Sequence, residues 1–212
     1  FGAPEEVAYL SNPHLGSNKI RGLISKITEY LRSNGCEIHY KTKVVGLIFN
    51  QGKVSGVRLE DNKELHSDYV ILATGHSAYR MYEHLMKSSV AMMQKDFAVG
   101  LRVEHSRKKM NEMQFGSYAE NDKLPTARYR LSYHDHSVDR GTYSFCMCPG
   151  GYVLSSGTDE KGIVVNGMSN YSQHSPWSNS ALVVSVKSGG DFLKEDLLAG
   201  LKYQKAIEQN AY

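Results

Sequence analysis

The sequence predicts an α/β layer joined to an antiparallel, β-rich layer. Three observations carry this. An amphipathic helix near the N-terminus leads into a short β-meander. The apolar run Tyr69-Val70-Ile71-Leu72-Ala73 follows and stops at Thr74-Gly75. From about Asp96 onward, strand-like runs recur with turn residues between them.

Asn18 to Ser33 places Ile20, Leu23, Ile24, Ile27, Tyr30 and Leu31 at helical spacing, which predicts one buried face. Ser17 is the expected N-cap, and Asn34-Gly35 the stop. Glu37–Tyr40, Lys43–Phe49, Lys53–Leu59 and Glu64–Ser67 read as short strands, with Asn50-Gln51-Gly52 as a hairpin signal. Tyr69–Ala73 is apolar at nearly every position, the pattern of a strand covered on both faces in a parallel sheet. Tyr79 to Lys87 predicts a second helix.

Six later runs, DFAVGLRVEH, ARYRLSYH, TYSFCMC, GYVLSS, GIVVNGM and ALVVSVK, predict the antiparallel part, with a further helix from about Leu197. The expected division is residues 1–92 and 93–212. The chain opens on Phe1 without an initiator Met and stops in a helical pattern, so an internal piece of a larger protein is expected.

Composition narrows the function classes. A net charge of +3 with interspersed signs lacks the wide basic stripe of a nucleic-acid surface. The one dense basic run, Arg107-Lys108-Lys109, reads as a solvated loop. No apolar run approaches a membrane span. Three cysteines match no disulfide framework and suit a reducing cytoplasm.

Two stretches could carry chemistry. In Ala73-Thr74-Gly75-His76-Ser77-Ala78, a glycine after a buried strand suits a sharp turn or close approach to a ligand at a strand's carboxyl end. An ordinary strand exit with a polar loop fits equally. In Tyr143–Tyr152 (YSFCMCPGGY), alternation in a regular strand would put Ser144, Cys146 and Cys148 on one face. The two cysteines would then lie roughly 6–7 Å apart. That spacing suits neither a disulfide nor a zinc knuckle, so no metal site is expected. Pro149 ends the ladder, and Gly150 and Gly151 leave room for something flat or bulky. His134 and His136 find no third ligand and read as a surface turn. The helix start after His14, at Gly16-Ser17-Asn18-Lys19, resembles an anion-binding terminus, as many capped helices do.

PHLGSNKIRGLI, DYVILATGHSA, DFAVGLRVEH, YSFCMCPGGYV, VVNGMSNY and NSALVVSV occur in fixed order over nearly the whole chain. In these strings the chain resembles an internal part of a family of uncharacterised FAD-dependent dehydrogenases. The resemblance implies part of a three-layer, Rossmann-like FAD/NAD(P)-binding domain followed by an inserted β-rich substrate domain. It implies FAD as cofactor, with the Gly-rich pyrophosphate loop outside this segment, and NADH or NADPH as a candidate electron donor. Val44 would pass the adenine, Thr74 and Gly75 the pyrophosphate and ribitol, and His76 and Ser77 the flavin region. The β-rich half, with Gly150 and Gly151, would cover the isoalloxazine. Cys146 or Cys148 would be a proton donor if its site favours the thiolate. YSFCMCPGGY more loosely resembles the cavity strand ending in Phe-Pro of geranylgeranyl-reductase-like flavoproteins. After His-Ser-Ala the family carries an Arg-Asp pair, whereas this chain has Tyr79-Arg80.

The expected function is therefore a fragment of a FAD-dependent oxidoreductase. Its partners would be an unknown small-molecule substrate and the remainder of the parent flavoprotein. The alternatives are a non-catalytic β-rich binding module, or a thiol-redox protein using Cys146 and Cys148.

Overall fold

The computed structural model describes residues 1–157 and 161–212. Two compact units emerge. The first comprises Phe1–Glu37, Asp96–Gly157 and Ile163–Val186; Ile38–Lys95 and Lys187–Tyr212 make up most of the second.

The first unit starts with α1 (Ser17–Ser33), which forms where the periodicity predicts. Gly16, with φ +76, is its N-cap instead of Ser17. A methyl on Gly16 would sit 2.2 Å from the backbone nitrogen of Tyr171, so the helix start docks too closely for a larger residue. Ser17 Oγ is freed from capping and donates to Ser169 O at 3.3 Å and Asn170 Oδ1 at 3.2 Å. The far end closes as foreseen: Cys36 N–H reaches Leu31 O, Gly35 N–H reaches Arg32 O, and Gly35 takes φ +84. The predicted buried face is not buried. Ile20, Ile24, Tyr30 and Leu31 are all exposed.

Six strands follow in this unit: β4 (Phe97–Ser106), β5 (Ser132–Asp135), β6 (Arg140–Cys148), β7 (Gly151–Ser155), β8 (Val165–Ser169) and β9 (Trp177–Val186). The main sheet has the order β4-β9-β6-β5 and is antiparallel throughout; β7 and β8 form a separate hairpin. β4 and β9 pair without interruption from Phe97↔Val186 to Ser106↔Trp177. Arg107-Lys108-Lys109 is not a loop. It opens α3 (Arg107–Phe115), where Ser106 Oγ accepts from Lys109 N–H at 3.3 Å and so caps the helix.

In the second unit, β1 (Val44–Asn50), β2 (Lys53–Leu59) and β3 (Glu64–His66) make an antiparallel meander. Glu37–Tyr40 contributes no strand. α2 (Tyr79–Lys87) lies on β1. His84 Nε2 accepts from Leu47 N–H at 2.9 Å, and its ring covers Gly46, where a methyl would come within 2.6 Å. α4 (Ala199–Asn210) is tied in by Tyr79 Oη, which donates to Glu208 Oε2 at 3.3 Å.

Tyr69–Ala73 departs most from expectation. It belongs to no strand, and Tyr69 and Ile71 are 89% and 93% exposed. A central parallel strand needs hydrogen-bonded neighbours on its edges, and no described segment provides one. Every sheet here is antiparallel, and no Rossmann-like layer is present among the described residues. The accessible surface is 15446 Å² for 23.7 kDa. Two separate folded bodies of half that mass would together expose only about 12,000 Å². Much apolar surface in these units is therefore uncovered.

Candidate functional site

The sequence-predicted residues fall in both units. Val44, Thr74, Gly75, His76 and Ser77 lie in the second; Cys146, Cys148, Gly150 and Gly151 lie in the first.

Val44 opens β1 and pairs with Leu59. Thr74, Gly75 and His76 are exposed, and His76 and Ser77 make a turn before α2. Gly75 takes φ +74 with no atom within 4 Å of where a side chain would start. That combination is a left-handed glycine facing open space, with no neighbour among the described residues to explain it. Ser77 Oγ lies 3.2 Å from His76 Nε2.

The cysteine strand is not regular. Phe145 pairs with Ala181 and Cys148 with Asn179, three steps along β6 against two along β9. One residue is extra, and Cys146 takes φ +46. This is a β-bulge. It breaks the alternation, so Cys148 shares a face with Phe145 instead of with Ser144. All three cysteines are free.

Arg102 holds the bulge. Its Nη1 donates to Asn179 Oδ1 at 2.6 Å and to the Cys146 carbonyl at 3.1 Å. Asn179 is fully buried, and its Nδ2 has no hydrogen-bond partner among the described residues. β8 closes over this cluster at Gly167, where a methyl would stand 2.1 Å from Asn179 Oδ1, 2.2 Å from Arg102 Nη1 and 2.8 Å from Cys148 Sγ. Burial pushes the Cys148 thiol above its ordinary 9.0, outweighing the opposite pull of Arg102. The thiolate-favouring environment expected for a reactive cysteine is therefore missing at Cys148. Neither Arg102 nor Asn179 was singled out from sequence. Asn179 lies in β9 beside the cysteine strand and Arg102 one strand further, in β4, so their meeting depends on strand order and on the bulge.

Pro149, Gly150 and Gly151 are buried. Gly150 has φ +53, and a methyl there would lie 1.8 Å from the Gln173 carbonyl oxygen. A methyl on Gly151 would lie 2.4 Å from Met168 O. Both glycines are thus required by the chain's own backbone. Pro149, just before them, is part of the wall of a cavity of about 330 Å³, whose other walls include Gly16, Ser17, Arg128 and Gln173.

His134 and His136 lie with ring centroids 4.7 Å apart and ring planes tilted by 59°, and His134 Nε2 lies 3.1 Å from Asp139 Oδ1. No group of three or more metal-ligating side chains occurs among the described residues. No helix among them is long and apolar enough to cross a membrane.

Residues 96–212 match the family described as FAD-dependent protein, C-terminal domain-like. A protein of Clostridium beijerinckii, named only as an uncharacterized protein, is 36% identical over 211 residues. The match covers 100% of this chain and 39% of that protein, so the chain spans about two-fifths of its relative's length. The family match takes in more than half of the chain, including β4 to β9 and α4, and the chain belongs to this FAD-dependent protein C-terminal domain-like family.

Proposed function

We propose that this chain is part of a FAD-dependent oxidoreductase, in which it closes over the cofactor and shapes the substrate cavity. The observation that carries this is the Thr74–Ser77 turn. Its glycine is left-handed, faces open space and follows an apolar segment with no partner among the described residues. A turn of this kind fits the close approach of a phosphate-bearing cofactor, with Thr74 and Gly75 beside the phosphates and His76 and Ser77 beyond them. Val44 would take the adenine side. FAD, when bound, supplies hydride chemistry, with NADH or NADPH as the donor in this proposal.

The chain's own residues do the rest. Tyr69–Ala73 and the apolar face of α1 would be covered by the remainder of the flavoprotein, which supports the view that the cofactor domain is completed from outside. Gly150 and Gly151 fit the flavin less well, since Gln173 and Met168 already occupy the space beside them. They hold the cavity wall in place. Cys148, its thiol pushed up by burial, is a proton holder at neutral pH and so suits a proton donor better than a nucleophile. Cys146, exposed on the bulge, is the second candidate donor.

The test is flavin content. The full-length protein should purify yellow, with stoichiometric absorbance near ~450 nm, and Gly75→Val should lose it. The chain alone should be colourless. A colourless full-length protein that cannot be reconstituted with FAD would reject the proposal. The binding-module alternative would then stand, favoured by the cavity in the first unit.

A further inference from the structure

We propose that the cavity at the start of α1 binds a small organic acid, its carboxylate seated on Arg128, Gln173 and the first amides of the helix. This deepens the oxidoreductase proposal by naming a substrate class. The cavity lies wholly within the first unit. Its volume of about 330 Å³ equals that of about eleven waters at ~30 Å³ each, and ligand pockets begin near ~300 Å³.

Four features set the chemistry. No aspartate or glutamate lines the cavity, while Arg128 does. Arg128 makes no ion pair with a carboxylate among the described residues; its Nη2 donates only a long 3.4 Å bond to Gln173 Oε1. Gln173 is the independent pointer to a ligand. It is 9% exposed, lines the cavity, and its side-chain N–H groups find no acceptor among the described residues. Its backbone is held at φ +53, with its carbonyl accepting from Thr126 Oγ1 at 3.3 Å. Finally, Ser17 lines the cavity at the start of α1, where Gly16 supplies no side-chain cap and the first helix N–H groups find no acceptor among the described residues.

The charge count favours a carboxylate over a phosphate. One guanidinium and the partial positive end of one helix match a single negative charge. The nearest lysine, Lys19, is turned onto the Tyr171 ring at 3.2 Å. Pro13, Ile20, Met147 and Met168 provide apolar wall for the body of the acid.

Benzoate is the probe, with benzyl alcohol as its neutral counterpart and sulfate as a bare anion, each titrated into the 15N-labelled chain. Benzoate should shift the Gln173 side-chain and Asn18–Lys19 amide signals in one saturable process. Benzyl alcohol should bind at least tenfold more weakly. Arg128→Met and Gln173→Leu should each lose at least tenfold, and Arg128→Lys less, with unchanged melting curves. Equal binding of benzyl alcohol or of sulfate would overturn the proposal, the latter marking an adventitious ion only. No shift with benzoate, phenylacetate or hexanoate would overturn it too. If Arg128→Met fails to fold, Arg128→Lys and Gln173→Leu decide. Acid binding in a full-length protein that takes no FAD would remove the oxidoreductase and leave the acid site. FAD retained without acid binding would do the reverse.

Discussion

Replacing Gly150 by alanine asks what the double glycine is for. If Gly150 is reserved for a cofactor, the isolated chain should tolerate a methyl. If it is reserved for Gln173, the fold should suffer without any cofactor present. The structure supports the second. A left-handed residue at φ +53 costs alanine about 1–2 kcal/mol. The methyl would also stand 1.8 Å from the Gln173 carbonyl oxygen and 2.2 Å from its carbon. These are backbone atoms that cannot swing aside, and overpacking of this kind costs about 1–3 kcal/mol. Relief by local movement would weaken the buried bond from Gly150 N–H to Ser178 Oγ at 3.0 Å. The sum is about 2–5 kcal/mol. The single tryptophan, Trp177, lies in β9 of the same unit and gives a fluorescence signal for its unfolding. With a urea dependence of about 1–3 kcal/mol per molar, the midpoint should fall by roughly 1 M or more. Gly75→Ala is the control: it is strained in φ but meets nothing, and it lies in the other unit, so the Trp177 midpoint should stay in place. A Gly150→Ala midpoint within about 0.3 M of the parent, together with lost flavin in the full-length protein, would refute the reasoning.

Four other outcomes follow from the structure. Asn179→Ala removes the 2.6 Å acceptor of Arg102 from a fully buried site and should cost about 2–4 kcal/mol in the same unfolding experiment. His84→Ala leaves Leu47 N–H without its acceptor and uncovers Gly46; it should cost about 1–3 kcal/mol and speed hydrogen exchange at the Leu47 amide. The Cys148 thiol titrates higher folded than unfolded, so its contribution is present below the ordinary value of 9.0 and is lost as pH rises through the folded value. The urea midpoint should therefore fall as pH rises above 9.0, and Cys148→Ala should flatten that decline. Thiol alkylation followed by mass measurement should find exposed Cys146 modified before Cys148.

Local pattern made some elements legible and left others out of reach. α1, β1, β2, α2, β4, β6, β7 and β9 stand where periodicity places them, because each element's signal is contained in its own residues. Of ARYRLSYH only Ser132–His134 join a strand, and of GIVVNGM only Val165–Met168. The bulge at Cys146 was not legible, because it depends on which β9 residues β6 meets and on where Arg102 reaches. A regular strand was the only expectation the sequence supported, and one extra residue was enough to move Cys148 to the other face. The glycines misled for a related reason. A Gly-Gly pair signals close approach, but it does not say whether the approaching group is a ligand or the chain itself.

Tyr69–Ala73 is the opposite case. Its pattern is that of a strand covered on both faces, yet Ile71 is 93% exposed and nothing described pairs with it. Apolar residues at nearly every position are costly to leave in water, at roughly 25 cal/mol for each Å². A sequence with this pattern is therefore written for a covered environment. The same holds for the bare face of α1, and for Leu101 in β4, which is 78% exposed. Surface beyond what two separate bodies of this mass would show is gathered in segments patterned for burial, as expected under the proposal that the remainder of the flavoprotein covers them. Pairing Tyr69–Ala73 into a sheet would bring Gly75 to the end of a strand, where its open left-handed turn would meet whatever that sheet binds.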